Sequence, residues 1–239
     1  MFSHEFKIAL VCKSIEMTDQ RIALVFGATG LIGNLLVEEL VDSVTYREVK
    51  VFVRQPTGVT EKHVTEIIAD FEHIEAISGQ IKGDDLFICL GTTIRKAGSV
   101  ANMEKIDRDL PLKVAAMAKD NGIRRVAVVS SIGASISSRN YYLRIKGEME
   151  KGILEMDFEN KAIVRPSMLL GERKEKRTGE AMGKVVMKAF KPVLKGKLRK
   201  YRAIHGGDVA RAMLLILRND PVKEIYESDE LQILADSYK

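Results

Sequence analysis

The chain is short of cysteine, of uninterrupted apolar sequence and of any metal-ligand spacing, and each shortage removes a class of protein. Cys12 and Cys89 are the two cysteines among 239 residues, too few for a disulfide framework. Cys89 also sits inside Leu86-Phe87-Ile88-Cys89-Leu90, a run that reads as a buried strand. A reduced, cytoplasmic setting is the expectation. No stretch approaches the roughly 18 apolar residues that a membrane span needs, because charges interrupt every hydrophobic run. Ile8 to Cys12 is too short for a signal-peptide core, and no small-residue cleavage site follows it. His4, His63, His73 and His205 have no ligand spacing and join no cysteine or carboxylate cluster, so no metal site is expected. The chain has no G-x-S-x-G, and no histidine lies near Ser130 or Ser131, which leaves a hydrolase triad unsupported.

What is present is enough apolar sequence, 46%, to bury a core, which excludes intrinsic disorder. The net charge of +5 is unevenly spread, since residues 173–202 hold twelve Lys/Arg against two Glu. That tract points to an anionic ligand or surface nearby rather than to a protein that coats nucleic acid, so no nucleic-acid partner is expected.

From Arg21 onward short apolar runs alternate with helical patterns, without repeats or low-complexity segments. The runs Ile22–Phe26, Val49–Val53, Glu66–Ala69, Asp85–Leu90, Arg125–Val129 and Ala162–Val164 read as strands. Between them, Leu31–Val41, Met103–Asn121 and Tyr141–Met156 carry apolar residues at helical spacing. Alternation of this kind predicts an α/β protein, a doubly wound parallel sheet covered by helices on both faces. Residues 17–239 are expected to form one domain, with 162–239 as a small lobe on the substrate side of the sheet. Residues 1–16 fit less well: they read either as a leader before a second start at Met17 or as an added edge strand, Phe6–Val11.

Directly after the first strand stands Gly27-Ala28-Thr29-Gly30-Leu31-Ile32-Gly33, a glycine loop opening a helix. Glycines allow a tight turn and close approach to a pyrophosphate, whose charge is favoured by free N–H groups at the helix start. An NAD site wants a carboxylate about 20 residues further on, to accept from the ribose hydroxyls. Arg54 stands there instead and suits the 2′-phosphate of NADPH, although a solvated surface arginine is the plainer alternative. Asp70 could accept from the adenine amino group or simply cap the following turn.

Tyr142 and Lys146 are four residues apart on a predicted helix and so share a face. A tyrosine with pKa near 10 is a poor proton donor or acceptor at neutral pH, and a neighbouring ammonium corrects this by favouring the phenolate. The pair opens the helix after the fifth strand, which ends in Val129-Ser130-Ser131 and presents a hydroxyl at its carboxyl end.

Gly27 to Gly33, Ser130-Ser131, Tyr142 with Lys146, and Arg165-Pro166 resemble the extended and atypical short-chain dehydrogenase/reductase superfamily, which has a Rossmann-type fold. More narrowly, Cys89-Leu-Gly-Thr-Thr-Ile-Arg-Lys-Ala-Gly98, Asp107-Arg-Asp109, Tyr142-Leu-Arg-Ile-Lys-Gly-Glu148 and Arg165-Pro-Ser-Met-Leu-Leu170 are similar to the Tat-interacting-protein oxidoreductases. The likeness runs from about residue 21 to 217. It implies NADPH as cofactor, Tyr142 as proton donor or acceptor and Lys146 as its partner. It further implies that Leu90, Gly91, Leu169 and Arg177 line the cofactor with Thr29, Gly30, Leu31, Ile32 and Arg54. One departure concerns the asparagine that often holds a relay water in this superfamily: that neighbourhood is Ile106-Asp107-Arg108-Asp109 here.

The expected activity is NADPH-dependent reduction of a carbonyl or activated double bond in a small substrate, with Ser131 holding the carbonyl oxygen. Two other readings stay open: a nucleotide-sugar epimerase or dehydratase with tightly held NAD, and a redox-sensing regulator that binds NADP(H) without turnover. The amphipathic segment Met182–Lys191 reads as a helix packed on the core, a lid, or a membrane-surface helix. The sequence identifies no protein partner. A chain begun at Met17 should keep the melting temperature and cofactor affinity of the full chain; a large fall in melting temperature would place Phe6–Val11 in the sheet.

Overall fold

Strands buried on both faces need apolar residues at successive positions, and the near-continuous apolar runs of this chain are placed accordingly. The computed structural model describes residues 20–171 and 194–237. In chain order its strands are β1 (Arg21–Phe26), β2 (Tyr46–Val53), β3 (Val64–Ile68), β4 (Asp85–Ile88), β5 (Arg125–Val129), β6 (Asn160–Arg165), β7 (Leu169–Leu170), β8 (Ile204–His205) and β9 (Ile225–Glu227). Seven of these form one sheet in the order β3-β2-β1-β4-β5-β6-β9, with every pairing parallel. The chain steps outward from β1 to β3 and then returns to lay β4 on the other side of β1. A crevice opens at that reversal, outside the carboxyl ends of the strands. This is the Rossmann-type α/β fold expected from the alternation.

Along β1 the side chains alternate, so Ala23 and Val25 enter one core while Leu24 and Phe26 enter the other. The first core is closed by α1 (Leu31–Val41), through Ile32, Leu36 and Leu40, together with Val209, Met213 and Leu217 of a late helix. The second holds a stacked Phe26–Phe52 pair, ring centroids 4.2 Å apart, beneath helices that bring Val114, Met149 and Ile153. At the amino ends of four strands the buried Asp85 carboxylate accepts from Tyr46 Oη at 2.6 Å, Arg21 Nη1 at 3.3 Å and Arg125 Nη1 at 3.5 Å. Burial pushes the Asp85 carboxyl up from its ordinary value and the Tyr46 phenol well above its own.

The segment expected as one helix, Met103–Asn121, is interrupted. After a short α2 (Ile94–Ala97), α3 (Val100–Glu104) passes through a π-helical turn, Lys105–Asp109, into α4 (Leu110–Asp120). Pro111 accounts for the break: it has no N–H to give the carbonyl of Asp107, and its ring crowds that carbonyl. The helix after β5 is α5 (Tyr141–Glu155), and α6 (Gly206–Arg218) and α7 (Ser228–Asp236) complete the described helices. β6 and β9 both lie within the main sheet, so the later part of the chain helps to build the sheet, while Leu169 and His205 face the crevice. The pair β7–β8 is a small parallel sheet that periodicity over two residues could not reveal. Phe6–Val11, Met182–Lys191 and most of the basic tract lie outside the described residues.

Helix α5 is held by a close approach rather than by apolar bulk alone. A Cβ on Gly147 would stand 2.4 Å from the backbone carbon of Ser135. Gly147→Ala should therefore cost about 1–3 kcal/mol in urea unfolding, despite a helix-propensity gain of up to ~1 kcal/mol. An unchanged unfolding midpoint would show that the Ser135–Ile136 backbone yields freely.

Candidate active site

The glycine loop is shaped by two crossings of bare backbone. Gly27 has φ +88°, and a Cβ there would lie 2.5 Å from the Cys89 carbonyl oxygen; one on Gly33 would lie 2.1 Å from the Gly27 carbonyl oxygen. These two glycines act through packing and do not line the crevice, whereas Thr29, Gly30, Leu31 and Ile32 do. Gly30 starts α1 in extended conformation, without a side-chain cap and without an acidic residue in the first turn. The first-turn N–H groups thus have no partner from the helix itself and favour an anion. With Gly30 on the wall and the first-turn N–H groups uncapped, the loop fits a dinucleotide's pyrophosphate.

The crevice has a volume of about 1750 Å³. The structure brings Arg54, Leu90, Gly91, Ser131, Tyr142, Lys146 and Leu169 together on its wall. Arg54 is exposed and makes no hydrogen bond or ion pair among the described residues. Asp70 is not among the residues of the wall; its Oδ1 accepts the Glu72 N–H at 2.9 Å, as the capping alternative expects. Arg177 lies outside the described residues.

Asn140 caps α5 by accepting the Leu143 N–H at 3.2 Å, which sets Tyr142 in the first turn and Lys146 one turn on. Lys146 is only 2% exposed. Its Nζ lies 3.4 Å from both the Leu90 and Val129 carbonyl oxygens, at the ends of β4 and β5, and 3.0 Å from Asp107 Oδ1. The two serines that the sequence left side by side have separate surroundings. Ser130 is buried and donates to Glu150 Oε1 at 2.5 Å, and the same carboxylate takes two hydrogen bonds from Arg165. Ser131 is part-exposed, with one contact at the hydrogen-bond limit, 3.5 Å to the Ile132 carbonyl. Ser131 is therefore the hydroxyl available to a ligand. Asp107, Thr92 and Arg95 also line the crevice and were not expected there. Asp107 had a sequence signal, since Pro111 stands four residues later in a helical pattern.

A family model described as NAD(P)H-binding matches residues 27–220. The chain belongs to that family. The FMP52 mitochondrial protein of Eremothecium gossypii is 34% identical over 89% of this chain and 96% of its own length. HTATIP2 of Rattus norvegicus is 36% identical over 65% of this chain and 66% of its own. Among solved structures, an ADP-L-glycero-D-manno-heptose-6-epimerase from Helicobacter pylori superposes with TM-score 0.65, covering 92% of this chain and 82% of that one, at 15% identity. MoeE5 in complex with UDP-glucose and NAD gives TM-score 0.61 at 17% identity, covering 90% of this chain and 81% of that one. At such identities the two structures speak for the fold alone. The chain is thus an NAD(P)H-binding protein of Rossmann-type fold, similar to HTATIP2 as its motifs led one to expect, and a nicotinamide dinucleotide is its cofactor class.

The expectation of a cytoplasmic setting is overturned, because relatives that span the chain, including that of Saccharomyces cerevisiae, are mitochondrial proteins. Two cysteines separate reducing from oxidising surroundings and cannot tell one reducing compartment from another. Among the described residues no helix is long and apolar enough to cross a membrane.

Cys89 closes the loop's far side, and burial pushes its thiol up to about 12, with the Lys146 charge opposing more weakly. Alkylation needs the thiolate. In a Cys12→Ser background Cys89 should stay unmodified by iodoacetamide at pH 8, as read by intact mass; complete labelling would mean that a thiolate is available in the crevice.

Proposed function

We propose that the protein is an NADPH-dependent reductase acting on a carbonyl or an activated double bond of a small substrate. The observation that carries this is the placement of Tyr142 and buried Lys146 on the wall of the same crevice as the uncapped start of α1. Thr29, Gly30, Leu31 and Ile32 would hold the pyrophosphate. Arg54, exposed and without a partner among the described residues, would pair with a 2′-phosphate in the planar manner natural to guanidinium. When bound, the dinucleotide supplies the hydride.

The remaining steps fall to this chain's side chains. Tyr142 gives its phenolic proton to the substrate oxygen as negative charge gathers there. The Ser131 hydroxyl, not engaged by Glu150, donates a hydrogen bond to the same oxygen. Lys146, anchored at the ends of β4 and β5 one helical turn beyond Tyr142, would hydrogen-bond the cofactor's ribose and favour the phenolate of Tyr142. A guanidinium where an NAD site would carry a carboxylate weighs against the epimerase reading. The intact Tyr142 and Lys146 pair weighs against a regulator without turnover.

The test measures both halves of the proposal. NADPH should bind about tenfold or more tighter than NADH, a difference of about 1.4 kcal/mol, and Arg54→Ala should remove most of that preference in calorimetry. With a panel of aldehydes, ketones and enones, loss of absorbance at 340 nm should be seen with the unaltered protein and fall at least about a hundredfold in Tyr142→Phe. Equal affinity for the two cofactors would overturn the NADPH assignment. Turnover unchanged in Tyr142→Phe would overturn its role as proton donor.

A further inference from the structure

The Lys146 ammonium is almost wholly removed from water, and two carbonyl oxygens at 3.4 Å do not balance its charge. The balance comes from a residue for which the superfamily's usual asparagine relay gives no precedent. Asp107 is fully buried, and its Oδ1 lies 3.0 Å from Lys146 Nζ. Its Oδ2 accepts the Thr92 N–H at 2.9 Å. Three local features bring it there. The π-helical turn Lys105–Asp109, opened by Pro111, carries Asp107 at its centre. Gly91 leaves the approach clear, since a Cβ on it would lie 3.3 Å from Asp107 Oδ1. The Thr92 N–H fixes the carboxylate's far oxygen, so the near one is held toward Lys146.

We propose that Asp107 is a positioning residue for the reaction: its carboxylate balances the Lys146 ammonium and fixes it at the carboxyl ends of β4 and β5. This rests on the role given to Lys146 in the proposed reductase. The contact is an ion pair off hydrogen-bonding alignment, and Asp107 Oδ1 has no hydrogen-bond partner among the described residues. A carboxylate placed merely to cap the Thr92 turn would need only one oxygen and no charge. Here the second oxygen faces the crevice wall that Asp107 and Lys146 share. Removing one member of a buried pair leaves the other uncompensated, so the effect of Asp107 must depend on the presence of Lys146.

A double-mutant cycle tests this dependence. Asp107→Asn keeps the shape and an acceptor for the Thr92 N–H while removing the charge; Lys146→Met removes its partner. With Lys146 present, Asp107→Asn should weaken NADPH binding about fivefold or more, and in the Lys146→Met background by less than about twofold. Its kcat should fall about tenfold or more while the KM of the carbonyl substrate stays within about threefold. Thermal unfolding of the same four proteins gives a reading that needs no cofactor. Asp107→Asn should lower the melting temperature when Lys146 is present and leave it equal or raised when Met replaces it. Full binding and turnover in Asp107→Asn, or the same loss in both backgrounds, would overturn the proposal. If the unaltered protein binds NADPH but reduces no member of the panel, the reductase reading fails while the cycle still judges Asp107. If it binds no nicotinamide cofactor, the unfolding cycle alone decides whether the pair is coupled.

Discussion

Everything at the working end of this molecule depends on how closely the backbone after β1 crosses the end of β4. Gly27 touches the Cys89 carbonyl where a Cβ would lie 2.5 Å away, and Gly33 touches Gly27 in turn. This contact seats the start of α1 against the carboxyl end of the sheet. Leu90 and Gly91 then lead directly into the wall that faces Lys146. A methyl group at either glycine would push the anion-binding helix start away from the Tyr142 side of the crevice. The glycine loop and helix α5 are thus built against one another, although more than a hundred residues separate them.

Much of this was legible in the sequence because it depends on short-range rules. Strand β5 and helix α1 fall where their apolar runs place them, since doubly buried strands and one-sided helices leave strong periodic marks. The glycine loop could be read in part for the same reason: the Gly33–Gly27 contact lies within seven residues, whereas the crossing of Gly27 with Cys89 left no local mark. The π turn was hidden because it preserves the apolar character of a helix while changing its pitch by one residue; Pro111 was its trace. Asp70 illustrates the opposite problem. An aspartate after a strand suits both a cap and a ligand, and only the structure shows that one of its oxygens takes the Glu72 N–H. The separation of Ser130 from Ser131 was equally invisible, because it depends on Glu150 and Arg165 meeting from different elements.

That meeting reaches further along the chain. Glu150 comes from α5, Arg165 from the end of β6, and Arg165 Nη1 also reaches Glu227 at 3.3 Å, at the end of β9. Arg165 donates as well to the Ala134 carbonyl, in the loop that precedes α5. A guanidinium with several donors in one plane can hold such a junction where an ammonium could not. The carboxyl ends of β6 and β9 and the interior of α5 are tied to the serine loop by it, which keeps Ser131 facing the crevice while Ser130 is spent on the network.

The ionic knot of Tyr46, Arg21, Arg125 and Asp85 lies at the other rim, where four strands begin. It clamps the sheet at the edge farthest from the crevice and shares no residue with the crevice wall. The two rims therefore carry separate duties. Loops at the carboxyl rim can drift in length and chemistry over evolutionary time without loosening the sheet, because its alignment is anchored from behind. A scaffold arranged like this lends itself to acquiring new substrates while keeping one cofactor seat.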